Sequence, residues 1–293
     1  MDIIKQLAEE FKIKIEQVEK TVALIDEGNT IPFIARYRKE ETGSLDDVLL
    51  RDLDDRLTYL RNIEKRKEEV KNLITEMGKM TDEIAASIDN AQTITEVDDI
   101  YRPFRPHRKT RASVAKEKGL EPLAEIILAQ EDTYTPTIEE IALDYINEEL
   151  GVESAEDALA GACDIIAEAV SDNADYRKTV RKATFDTGLI LTKGATEEDS
   201  VYAQYYDYSE ALKKIPSHRV LAINRGEKED FLKVSITVEK GIILNYLCSE
   251  MISNIKSPAA KYIESAVIDS YDRLIALPCH CRCHFFDGGR LYR

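Results

Sequence analysis

The first hundred residues alternate apolar and polar positions with a period near 3.6. Ile3, Ile4, Leu7 and Phe11 fall on one helical face, and Val18, Val22 and Ile25 fall on another. This predicts two short helices within residues 1–28, joined through Phe11-Lys12-Ile13-Lys14 in a helix-turn-helix outline. Glu9, Glu10, Glu16 and Glu19 would repel DNA, so a structural hairpin is the expected role. In the next stretch, NTIPFIARYRKEETGSLDD, Pro32 suits a first helical turn, where its missing N–H costs little. Gly43 punctuates, and Ser44 with Asp47 forms an S-x-x-D helix start. Leu49, Leu53, Leu57, Leu60, Ile63, Val70, Ile74 and Met77 then make one stripe. The expectation is a spine helix of about 50 Å at 1.5 Å per residue. The run EKRKEEVK on it is mixed in sign and reads as a solvated face.

Beyond the spine, Thr81 opens a helix through Ala91, and Asp98 to Pro106 reads as irregular because of Pro103 and Pro106. Residues 112–130 read as helical. Thr137 with Glu140 and Ser154 with Asp157 mark two further helix starts. The second of these begins a helix to about 183 with Leu159, Cys163, Ile166 and Val170 on one side, where Cys163 reads as a buried small hydrophobe. From about 186 the texture changes. Four tyrosines gather in YAQYYDY, which reads as packing at a domain seam, and FLKVSITV alternates as the clearest strand. Helix returns over 241–253 and 258–276. The fold class is mainly α: a multi-helix scaffold with a helix-turn-helix-like start, one long spine helix and a minor β element near 231–238.

Charge narrows the functional classes. The 293 residues carry 40 basic and 56 acidic side chains, a net charge of −16. A general polyanion binder needs a positive field, so any nucleic-acid role must be local. One segment qualifies. YRPFRPHRKTRASVAKEK, residues 101–118, sets Arg102, Arg105, Arg108, Lys109, Arg111, Lys116 and Lys118 against the single acid Glu117, with Tyr101 and Phe104 interleaved. Guanidiniums grip phosphates in pairs of hydrogen bonds and aromatic faces stack bases. The structural alternative is a loop that pairs with the acidic surface of its own fold. A smaller group is Arg36, Arg38 and Lys39, in which Arg36 beside Ile34 and Ala35 also reads as a buried, ion-paired arginine. A third group holds His218, Arg219, Arg225 and Lys228, with His218 read as a capping or packing residue.

Catalytic signatures for nucleotide, metalloprotease or serine-hydrolase chemistry are absent, so no enzyme activity and no cofactor are expected. Adjacent acids such as Asp46-Asp47, Asp54-Asp55 and Asp98-Asp99 are expected by chance in so acidic a chain, and sequence neighbours on a helix point apart. There is no secretory h-region and no apolar run near 20 residues, so a cytoplasmic protein without a membrane partner is expected.

TIPFIARYRKEETGSLDD, YRPFRPHRKTRASVAKEKGLEPLA and SHRVLAINRGEKEDFLKV, in that order and spacing, resemble the signature segments of the Tex family of bacterial transcription accessory proteins. The resemblance runs to about residue 276. It implies a helical scaffold that in full-length members leads to a ribonuclease-H-like domain, a helix-hairpin-helix region and an RNA-binding OB-fold, and it implies that this chain stops before them. The expected division is a helical Tex N-terminal domain over 1–185, a second helical part with short strands over 186–276, and an aberrant, disordered tail over 277–293. The expected function is a truncated, non-catalytic transcription accessory protein with weak binding to RNA or DNA. Arg102, Arg105, Arg108, Lys109 and Arg111 fall on the family's basic segment. A protein-interaction scaffold for the transcription or translation machinery is an alternative.

The tail departs from the family after Leu277. PCHCRCHFFDGGRLYR alternates Cys279, Cys281 and Cys283 with His280 and His284. Zinc takes four such ligands in a tetrahedron, usually from paired units in two places, so a metal-binding regulatory protein is a further alternative. A change of reading frame is the expected origin of the tail.

Overall fold

A computed structural model describes residues 2–105, 109–196 and 200–276, together with the short strands Phe286–Asp287 and Arg290–Leu291. The fold is mainly helical, in two compact units, Met1–Phe104 and Arg105–Arg293.

The first unit contains α1 (Ile3–Phe11), α2 (Ile15–Asp26), α3 (Ile31–Tyr37), α4 (Lys39–Thr42), α5 (Asp47–Glu76), α6 (Asp82–Asn90) and α7 (Ile94–Tyr101). The spine helix is α5. Its start lies two residues beyond the expected cap: Asp46 accepts the Leu49 N–H at 2.7 Å, while Ser44 takes a left-handed turn at φ 64°. Leu50 instead of Leu49 leads the buried seam, followed by Leu53, Leu57, Leu60, Ile63, Val70 and Ile74, and Met77 is exposed. Three clusters cover it in turn. Leu24, Ile34 and Leu45 meet Leu50. Leu7, Val18 and Val22 meet Leu57, Leu60 and Ile63. Ile88, Ala91, Val97 and Tyr101 meet Val70 and Ile74. Each fully buried leucine on such a seam contributes about 1.5–3 kcal/mol over an exposed one.

The stretch read as a solvated face hides a buried lysine. Lys67 is 3% exposed and occupies a seam position between Ile63 and Val70. Its Nζ donates to the Asp89 carbonyl at 2.9 Å and lies 3.1 Å from Glu64. Asp89 lies in the last turn of α6, where carbonyls lack intrahelical partners and the helix dipole is negative. Residues 98–101 are helical, contrary to the irregular reading. Thr93 caps α7 through the Glu96 N–H and the Glu96 carboxylate accepts from Gln92 N–H, which outweighs the prolines downstream.

The second unit opens with α8 (Arg111–Glu117), α9 (Glu121–Ala129), α10 (Ile138–Leu143), α11 (Ala155–Asp172) and α12 (Ala174–Thr187). Residues 112–130 form two helices because Gly119 turns at φ 78° and Pro122 starts the next. The helix expected to reach 183 breaks at Asn173, whose side chain caps α12 through the Asp175 and Tyr176 N–H groups. β1 (Leu189–Gly194), β2 (Asp207–Ala211), α13 (Ser217–Lys228) and β3 (Leu232–Thr237) follow, then α14 (Lys240–Met251), α15 (Ala260–Asp269) and a π-helical turn, Ser270–Ile275. The sheet order is β2-β1-β3, antiparallel, with Ile190 opposite Ile236 and Leu191 opposite Ser235. Tyr202 and Tyr205 of the tyrosine-rich stretch are buried within this layer's own core, with Ile190, Val220 and Leu232, and not at a seam. The larger core surrounds α11, where Ala158, Ala162, Ile166 and Val170 share one cluster with residues of α8, α9, α10, α14 and α15. A hairpin of β4 (Phe286–Asp287) and β5 (Arg290–Leu291) places β5 near α13. The candidate metal ligands of the alternative reading, Cys279, Cys281, Cys283, His280 and His284, lie outside the described residues.

Gln130 ties this unit together. It is 8% exposed and left-handed at φ 50°. Its amide donates to the Met251 carbonyl at 2.8 Å and accepts the Ser253 and Asn254 N–H groups at 2.9 and 3.1 Å. One side chain thus satisfies the backbone that links α14 to α15.

Two substitutions test these contacts in the full chain. Lys67→Ala is expected to destabilise by about 1–3 kcal/mol, because the part-buried Asp89 carbonyl loses its donor and the seam loses the packed lysine stem. Urea denaturation should show a lower midpoint at unchanged slope, and an unchanged midpoint would remove the proposed contact. Gln130→Gly keeps the left-handed backbone and removes only the side chain. It should cost about 1–3 kcal/mol and raise amide exchange selectively at Ser253 and Asn254.

Candidate nucleic-acid interface

The first basic group sits on α3 and α4. Thr30 precedes α3 and Pro32 falls in its first turn. Only Ile34 of this helix is fully buried, so Phe33 and Tyr37, four residues apart, share the outer surface. They are 39% and 70% exposed with ring centroids 5.2 Å apart. Gly43 ends α4 at φ 68°, and Gln17 of α2 donates to the Thr42 carbonyl at 3.0 Å, which anchors the patch. A Cβ on residue 43 would collide with that Gln17 amide.

Arg36 is exposed, which removes the reading of a buried, ion-paired arginine. Arg38 stands 5.9 Å over the Phe33 ring and pairs with Glu41 at 3.0 Å. Arg36 and Lys39 line a cleft of about 600 Å³ that also holds Asp46, Asp47 and Arg51. Both acids are engaged: Asp46 caps α5, and Asp47 pairs with Arg51 at 2.8 Å. Among the described residues, neither Arg36 nor Lys39 has an ion pair. The exposed aromatics Phe33 and Tyr37 were absent from the sequence-based site. The signal for them is an apolar pair at i, i+4 flanking a single core residue.

The basic segment is distributed differently. Arg102 lies in a 3₁₀ turn, Arg102–Phe104, of the first unit, whereas Arg105, Lys109 and Arg111 belong to the second. Arg108 lies outside the described residues. Arg102 and Arg105 both have interaction partners. Lys109 is 3.7 Å from Glu117, Lys116 is 3.4 Å from Glu121, and Lys118 Nζ donates to the Gly151 carbonyl at 2.7 Å. Arg111 is the exposed first residue of α8 and acts electrostatically on Asp164.

In the third group, His218 is exposed and makes no helix cap, while Arg219 donates to Tyr208 Oη at 3.1 Å and to Glu210 at 3.0 Å. Of the adjacent acids, Asp98 pairs with Arg66 at 2.7 Å. Cys163 is half-buried, with its Sγ 3.7 Å from the Tyr262 carbonyl, and burial pushes its thiol up to about 11. Among the described residues, no cluster of His, Cys, Asp and Glu could hold a metal ion, and no helix is long and apolar enough to cross a membrane.

Comparison with known proteins matches residues 1–75 to the Tex-like protein N-terminal domain and residues 133–271 to the Tex central region-like family. The Bacillus subtilis protein YdcI is 44% identical over 277 residues, and the transcriptional accessory protein Tex of Neisseria gonorrhoeae is 38% identical over 239. The chain belongs to the Tex family. These alignments cover 92% and 80% of this chain but only 38% and 31% of the relatives. A human protein, S1 RNA-binding domain-containing protein 1, is 28% identical over 299 residues, covering 96% of this chain and 29% of its own length. The chain therefore spans less than two fifths of the length of these Tex relatives. Arg36, Arg38 and Lys39 lie within the Tex N-terminal match, while residues 101–118 fall between the two matched regions.

Within the Tex central match, Glu139 of α10 accepts from Lys261 Nζ at 2.7 Å and from Tyr262 Oη at 2.6 Å. These two donors, Lys261 first, hold its carboxyl at about 2, well below the usual 4.5. Its stabilising contribution is therefore complete above about pH 4.5 and lost as pH falls toward 2. Glu139→Gln should flatten the decline of melting temperature across that window. Parallel acid profiles for the two proteins would contradict the assignment.

Proposed function

We propose that this Tex-family chain is a non-catalytic helical scaffold that binds single-stranded RNA or DNA weakly, in a salt-sensitive way. The observation that carries the reading is the α3–α4 patch. Arg36 and Lys39 stand without carboxylate partners among the described residues, on the same short helices that expose the rings of Phe33 and Tyr37. Cations take phosphates and exposed rings stack bases of any sequence. The names of two relatives, a transcriptional accessory protein and an S1 RNA-binding domain-containing protein, agree with such a role. Arg105, Arg108, Lys109 and Arg111 are the second candidate contact, with Arg102 and Arg38 at the margins. The net charge of −16 sets the expectation of weak binding. Attachment to the transcription machinery is part of the same proposal.

Gel shifts with a labelled single-stranded oligonucleotide test it. Arg36→Ala with Lys39→Ala should weaken binding and reduce the slope of log K against log salt by about 0.7 per lost phosphate contact. Tyr37→Ala should weaken binding without changing that slope, at a cost of about 1–3 kcal/mol. Arg105→Ala with Arg108→Ala tests the other segment separately. Unchanged binding in all three variants would overturn the proposal.

A further inference from the structure

The second unit contains a groove that the nucleic-acid reading does not use. It lies between α11 and α15 and encloses about 600 Å³. Leu159 and Cys163 of α11 face Tyr262 and Ala266 of α15 across it. Leu159 and Ala266 are buried at 8% and 1% exposure and form an apolar floor. Ala160 and Ser265 are exposed at its lips, and their small side chains leave it unfilled. A concave apolar site of this size accepts large apolar side chains.

The rim is acidic. Glu156, Asp164 and Asp269 surround the floor, and Arg111 is the one lysine or arginine among the described lining residues. Arg273, from the π-helical turn, is shared between Asp164 at 3.0 Å and Asp269 at 2.6 Å. Glu156 is exposed and has no ion pair among the described residues. Burial raises the Asp164 carboxyl even with Arg273 beside it. Irregular π turns within helices recur at functional positions, and this one supplies the arginine that organises the rim. An apolar floor with an acidic rim repels a phosphate backbone. It complements a helix that carries apolar residues on one face and lysine or arginine beside them.

We propose that the α11–α15 groove docks a basic amphipathic helix of a partner protein, with an apolar side chain on Leu159 and Ala266 and basic residues against Glu156 and Asp164. The site is built from second-unit residues alone. Its failure would leave the α3–α4 patch untouched, and failure of that patch would leave the groove untouched.

The test uses the full chain and a labelled peptide of about 18 residues, long enough to form a helix, with leucines on one face and lysines flanking them. A second peptide has serines in place of the leucines at the same charge. Fluorescence anisotropy should show the leucine–lysine peptide bound, and about tenfold weaker binding to Ser265→Trp, which fills the groove from an exposed position. The serine peptide should bind both proteins alike. Glu156→Lys, on the exposed rim, should give a similar loss and guards against misfolding of the tryptophan variant. The bound peptide should also slow alkylation of Cys163. Equal affinity of the leucine–lysine peptide for wild type and both variants would show attraction to an acidic surface only and overturn the proposal. So would a peptide that fails to bind, or self-association in sedimentation equilibrium that Ser265→Trp abolishes, since the groove would then be filled by a second copy.

Discussion

α5 is thirty residues long, and no other helix of its unit is long enough to cover its apolar seam. Everything in the first unit follows from that mismatch. Three short groups of helices cover the seam in succession, and each brings its own cluster. Arg56, Arg61 and Arg66, spaced five apart on α5, then reach sideways to Glu10, Asp26 and Asp98 on three different helices. Exposed pairs of this kind contribute little energy, but their paired guanidinium geometry sets the angle at which each helix lies. Lys67 continues the same logic inside the seam, where a polar tip is tolerated because a helix end offers it a carbonyl.

The second unit solves a related problem with α11 at its centre. Here the covering helices are short because Gly119 and Asn173 interrupt what would otherwise be continuous helix. The breaks let α8, α9, α12 and α15 pack around α11. Between α11 and α15 the small residues Ala160 and Ser265 leave a space unfilled. Much of the positive charge in this acidic chain is engaged internally, by carboxylates or by helix-end and loop carbonyls. The cations without such partners therefore stand out more than they would in a basic protein. Arg36 and Lys39 are among them.

Much of this was legible from the sequence. The spine, the Thr137 and Ser154 caps, and the β3 strand all follow from period and capping chemistry, which act over three or four residues. The errors share a cause. Ser44 and Asp46 both offer a cap and Asp46 serves, Thr93 and Glu96 start α7 beside prolines that suggest irregular chain, and Asn173 breaks a stripe that reads as continuous helix. Each is a choice between two plausible local signals a few residues apart. Lys67 was hidden by composition: within a charged run it looks solvated, and only its place in the heptad-like spacing of the seam betrays it. Among the candidate contacts, the run of seven basic residues drew most of the attention. The structure gives its lysines nearby partners and leaves the smaller group beside Ile34 exposed.

The sequence by itself determined the helical class, the length of the spine and the family, because these depend on local periodicity and on long matching segments. Tertiary structure alone decided which charges are available. Whether an arginine meets a carboxylate depends on residues tens or hundreds of positions away, as Arg273 and Asp164 show across 109 residues. It also decided where space remains between helices. A groove belongs to two surfaces at once, and neither α11 nor α15 carries the record of it alone.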